Sequence, residues 1–194
     1  MENWLPRFLP DHGFEVITHW GKGRLTRDVD RVPDSRHQGL LDQLPAKLRA
    51  YGKSLNPATE RVLVLVDQDQ DDCRELKARI ESLLAQIDPR PVTMVRIATT
   101  ETEAFYLGDA PAMRRAFPHL KRAELKRYSP LPEELGTWER FAEIIKDPIE
   151  NKVAWAKTMG REMASDRPFP KHNQSPSFRH FCRALLTLVG EPID

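Results

Sequence analysis

Val62-Leu63-Val64-Leu65-Val66 is an unbroken apolar run in an otherwise mixed chain. A strand with one wet face would alternate, so the run predicts a strand covered on both faces. Six polar residues follow, Asp67-Gln68-Asp69-Gln70-Asp71-Asp72. Leu76, Ile80, Leu83, Leu84 and Ile87 then recur at helical spacing, which predicts an amphipathic helix over about 72–87, capped by Asp71 or Asp72. Pro89 and Pro91 interrupt the chain, and residues 92–98 read as a second strand. Strand, helix and strand of these lengths make a βαβ unit, with parallel strands and a right-handed crossover.

The flanks are less regular. Residues 14–17 form a shorter strand candidate, followed by a basic, Gly-flanked loop, His19-Trp20-Gly21-Lys22-Gly23-Arg24. Leu40, Leu41, Leu44 and Leu48 predict a helix with Pro45 near its start or at a kink. Beyond residue 100 the pattern turns helical. Asp109 caps a short helix to about Phe117, and Trp138, Phe141, Ile144 and Ile145 mark another. Asp147-Pro148-Ile149-Glu150 is a helix start. Residues 166–175 read as a loop. Ser175-Pro176 opens a last helix that buries Phe178, Phe181, Leu185, Leu186 and Val189 and stops at Gly190. The expected architecture is α/β, with a parallel-sheet core over residues 1–112, helices on both faces, and a helical extension over 113–194 packed on that core.

Composition narrows the class. The chain has 194 residues, 40% apolar and 30% charged, and its net charge of +1 gives no global pull toward nucleic acid. No apolar run approaches the roughly 20 residues of a membrane span, and the start lacks a signal-peptide pattern. With two widely spaced cysteines, Cys73 and Cys182, a reducing cytoplasm is the expectation.

Asp67 and Asp69 lie just past the carboxyl end of the main strand, where ligands gather in parallel α/β sheets. Two residues apart, both carboxylates can lean to one side and repel unless a cation sits between them. Mg²⁺ (or Mn²⁺) suits such oxygen donors. Glu101 and Glu103 reach the same place if the second strand is adjacent. A plain capping turn explains Asp71 and Asp72 well but Asp67 poorly, because a charge flush with a buried strand is costly. An EF-hand loop would need Gly and Glu where Asp72 and Ala78 stand. A haloacid-dehalogenase-like phosphatase would carry Thr or Val at Asp71. The chain has neither a receiver-type acidic pair nor a Gly-x-x-x-x-Gly-Lys-Ser/Thr loop. His172 and His180 have no partner at metal spacing. Lys121, Arg122, Lys126 and Arg127 near Tyr128 read as a solvated face, with a nucleic-acid backbone contact as the alternative.

The segments from Val64 to Cys73, Arg96 to Ala98 and Glu101 to Asp109 resemble the bacterial family called domain of unknown function 4276. So do His19-Trp20-Gly21-Lys22 and Asn173-Gln174-Ser175-Pro176-Ser177-Phe178-Arg179. The resemblance implies a Toprim-like, OLD-nuclease-related fold and an Mg²⁺-dependent nucleic-acid phosphodiesterase, found beside an ATPase in bacterial defence loci. It implies Asp67 and Asp69 as metal ligands and Glu101 or Glu103 as a further ligand or base. Lys22, Arg24 and Arg179 are the expected phosphate contacts. Relatives carry a strand and a Glu ahead of the segment matching Trp4 to Pro10, and no strand precedes Glu2 here. That departure leaves a non-catalytic metal- or nucleic-acid-binding subunit as the alternative. The expected partners are therefore nucleic acid, an ATPase subunit and further copies of the chain in a homo-oligomer.

Overall fold

Side chains alternate across a strand, so an apolar run must be covered from two sides. The computed structural model places the run in strand β1, Val62–Asp67, and pairs it in parallel with β2, Thr93–Ala98. The register runs from Val62 opposite Thr93 to Asp67 opposite Ala98. Val62, Val64 and Val66 of β1 point with Val95 and Ile97 of β2 into one apolar layer. Leu63 and Leu65 point with Ala98 into the other. The described residues are 1–26, 28–128, 132–135 and 137–193, without the side chains of Arg127, Tyr128 and Leu135.

Chain order is α1 (Leu5–Phe8), α2 (Leu40–Ser54), β1, α3 (Cys73–Leu84), β2, α4 (Glu103–Leu107), α5 (Ala110–Ala116), α6 (Arg122–Tyr128), α7 (Pro132–Leu135), α8 (Trp138–Ile145), a 3₁₀ turn (Ile149–Asn151), α9 (Lys152–Glu162) and α10 (Pro176–Val189). Leu41, Leu44 and Leu48 of α2 and Leu76, Ile80, Leu83 and Leu84 of α3 cover the first face of the sheet. The second face meets Phe105 of α4 and Phe178, Phe181 and Cys182 of α10. Trp4 and Phe8 stack at 4.6 Å in the same layer, so the N-terminal turn packs among the C-terminal helices. The expected α/β class and helical C-terminal part are observed, and the parallel sheet has two strands among the described residues.

Most element ends follow local chemistry. Asp72 caps α3, accepting from Arg74 N at 2.9 Å and Glu75 N at 2.8 Å. Ser175 caps α10 through Phe178 N, and Gly190 ends it in the left-handed region. Pro45 is accommodated inside α2 as its sixth residue. The helix expected from Asp147-Pro148 begins as the 3₁₀ turn and continues as α9.

The strand expected over residues 14–17 does not form. Phe14 and Ile17 are exposed and only Val16 packs on the core, so this segment lacks the inward row and the ladder partner that hold a strand. Among the described residues no helix is long and apolar enough to cross a membrane.

Candidate functional site

The two strand ends carry the chemistry. Pairing continues past the sheet, where Gln68 N donates to Ala98 O at 2.9 Å and Asp69 N to Thr100 O at 3.0 Å. The next residues turn sharply, with Asp69 at φ 51° and Thr100 at φ 63°. Positive φ is uncommon for Asp and costly for a β-branched Thr, and such strain gathers at functional positions.

Asp67 ends β1, half-buried, and its Oδ1 accepts from Thr102 N at 3.0 Å. Burial, then the charges of Glu103, Glu101 and Asp69, push its carboxyl up to about 7, against the pull of the Thr102 hydrogen bond. Tyr106, enclosed beside Glu103 and Asp67, has its phenol pushed upward by burial and by those charges. The adjacency expected of the two strand ends is therefore present, with Glu101 and Glu103 facing Asp67.

Each remaining acid has its own donor. Glu103 is buried at 3% exposure and meets Lys152 Nζ at 3.3 Å. Lys152 also lies 5.3 Å from the Trp138 ring centroid. Glu101 Oε2 accepts from Trp138 N at 2.8 Å; burial raises its pKa while that hydrogen bond works the other way. Lys22 Nζ lies 2.7 Å from both Asp69 and Asp71 and donates to Gln68 O at 3.0 Å. Burial opposes the Lys22 charge, but the two aspartates outweigh it and raise its pKa. The hydrogen bond from Lys22 lowers Asp71 in turn. Among the described residues, no three His, Cys, Asp or Glu are drawn closely enough together to hold a metal ion. Repulsion among carboxylates accounts for that spacing, because each settles on the donor nearest to it. The donor set is all oxygen and carries more negative charge than its lysines cancel around Asp67, which is the chemistry Mg²⁺ or Mn²⁺ fits.

The expected anion contacts divide. Lys22 belongs to the site. Arg24 is exposed on the same loop, its backbone N donating to Asp42 Oδ1 at 3.1 Å. Arg179 is spent elsewhere, with Nε and Nη2 on the Asn173 carbonyl at 2.9 and 2.7 Å. Asn173 is fully buried and donates to Phe105 O, so Arg179 straps the loop before α10 to α4. Lys121, just ahead of α6, and Arg122 and Lys126 on it are exposed, and the side chains of Arg127 and Tyr128 lie outside the described residues. Asp109, expected as a cap, accepts from Ala112 N and also from Ala164 N and His172.

Lys152 and Glu133 were not singled out in the sequence, Trp138 was read only as marking a helix, and Thr102 was given no role in the site. The Thr100 hydroxyl bonds the Glu133 carbonyl, while the Glu133 carboxylate accepts from Ser175 Oγ at 2.9 Å and Ser177 N at 2.5 Å. Lys152 alone left a signal. It opens α9, whose first turn has no acid, and a cation at a helix N-terminus opposes the macrodipole unless a carboxylate holds it.

Residues 1–186 match a family model described as Domain of unknown function (DUF4276). No curated protein and no solved structure matches the chain.

Proposed function

We propose, on the premise that the chain belongs to the DUF4276 family, that it is a Toprim-like, metal-dependent phosphodiesterase acting on nucleic acid. The observation that carries this reading is the position of Asp67 at the end of β1, two residues before Asp69 and beside the end of β2 that leads into Glu101 and Glu103; burial and those charges push its carboxyl up to about 7. Such a group is expensive to keep unless a cation is meant to join it. Asp67 and Asp69 would hold Mg²⁺ or Mn²⁺, with Glu101 or Glu103 as the next oxygen donor. Bound there, the ion would supply Lewis acidity to a phosphodiester oxygen. Whichever glutamate stays off the ion would accept the proton of the attacking water. Lys22 holds Asp69 and Asp71 at 2.7 Å, and with Asp69 serving a cation its ammonium would be available to a phosphate oxygen. Lys152 balances Glu103 and limits the repulsion Asp67 feels. A partner subunit of the ATPase class, which the family resemblance implies, would deliver the substrate.

A second reading is a binding subunit without catalysis. The saturation of Glu103 by Lys152 and of Asp69 by Lys22 favours it, because both acids already have a fixed counter-charge. Cleavage of single- and double-stranded DNA and RNA, with Mg²⁺ and with Mn²⁺, separates the two. The proposed activity requires metal and disappears in Asp67→Ala/Asp69→Ala. Binding without metal-dependent cleavage by the wild type supports the second reading and overturns the first.

A further inference from the structure

We infer that Trp20 is a stacking platform for an unpaired nucleobase beside the carboxylate site; the inference rests on the nucleic-acid reading above and narrows its substrate to single-stranded nucleic acid. Trp20 is 87% exposed, the most exposed large apolar side chain among the described residues. The other tryptophans have structural roles. Trp4 and Trp155 are 1% and 2% exposed, and Trp138 is half-buried under Lys152.

The exposure is built into the backbone. Trp20 N donates to Gln38 O, and the carbonyls of Gly21 and Lys22 accept from Leu40 N at 3.0 Å and Leu41 N at 2.7 Å, the first amides of α2. Gly21 and Gly23 hold φ values of 79° and 70°, which a side chain would resist, and a Cβ on Gly23 would run into Asp42. The loop is therefore pinned on α2 with the indole projecting into solvent.

The same loop reaches the site. Two residues of chain span at most about 7 Å, and Lys22, two residues from Trp20, lies against Asp69 and Asp71. A further two residues on, Arg24 is exposed and has no ion-pair partner among the described residues. Aromatic, lysine and arginine thus alternate at positions 20, 22 and 24, separated by glycines. His19 is held toward its neutral form by burial and by Lys47, so the cations of this stretch are Lys22 and Arg24. A flat ring beside cations is what an unpaired base and its phosphates require, and every base offers a π-face to it. A paired base, stacked inside a duplex, does not.

The test uses the whole chain and fluorescence anisotropy of labelled oligothymidylate of about 12 nucleotides, within the span that single-strand sites cover. Trp20→Ala should weaken binding by about 5- to 150-fold, the range expected for one base–aromatic stack. Trp20→Phe should keep most of the affinity, and an abasic oligomer should bind wild type and Trp20→Ala alike. Thermal unfolding of Trp20→Ala should match the wild type, since the ring buries little. If the wild type binds the oligomer and Trp20→Ala binds it equally well, Trp20 is not a platform and the nucleic-acid reading stands. A loss that persists with the abasic oligomer also overturns stacking. Unchanged oligomer affinity with loss of self-association in sedimentation assigns the ring to a protein contact. Absence of any oligomer binding by the wild type, with or without Mg²⁺, removes the nucleic-acid reading and this inference with it.

Discussion

Burial and the neighbouring carboxylates push the Asp67 carboxyl up to about 7, from the 3.8 of an unfolded chain. Between those values the folded state binds the extra proton, so stability falls as pH rises from about 4 to about 7. A shift of this size corresponds to a few kcal/mol at 1.36 kcal/mol per unit, and a half-buried group with some solvent keeps on the order of 2. Asp67→Asn should therefore be more stable than the wild type in urea at pH 8 by about that amount. The difference should vanish near pH 4. A variant that is less stable at pH 8 would show Asp67 to be a structural acid whose charge is already satisfied. The sequence puts Asp67 at the end of the main strand, as the structure does, because a carboxylate flush with an apolar strand is a local pattern. Arg179 was harder to place. Its guanidinium is turned onto the Asn173 carbonyl six residues back, a loop contact that helical spacing does not encode.

The elements separate acids that fold the chain from acids that serve the site. Asp72 is exposed and spends its Oδ1 on two α3 amides. Asp72→Ala should cost about 1 kcal/mol, or about 2–4 °C in Tm for a chain of this size, and leave metal affinity within about twofold. A large loss of affinity would put Asp72 in the site rather than in the cap. The β1–α3–β2 unit and α10 were legible because their signals are local: an apolar run, a 3.6-residue period, a capping Asp or Ser and a closing Gly. The strand expected over residues 14–17 failed for a reason that is not local. Pairing needs a neighbour, and the described sheet ends at β1 and β2.

For the whole molecule, the counter-charges come from opposite ends of the chain. Lys22 precedes β1 by forty residues, and Lys152 lies forty-nine residues beyond Glu103, so neither pairing follows from spacing. Removing Lys152 leaves the buried Glu103 without its cation, at a cost on the order of 1 kcal/mol once the lysine's own exposure is allowed for. Lys152→Ala should melt below the wild type in EDTA and recover in Mg²⁺, because a cation binding only the folded state stabilises it. The same deficit in both buffers would mean that no ion reaches Glu103. The central claim is that Asp67 anchors a divalent cation, and calorimetric titration of Mg²⁺ into wild type and Asp67→Asn at pH 6 and pH 8 tests it most directly. The account predicts binding by the wild type that is tighter at pH 8, where Asp67 has ionised, and none by Asp67→Asn at either pH. Equal affinity in the two proteins, or wild-type affinity that does not change with pH, would contradict it.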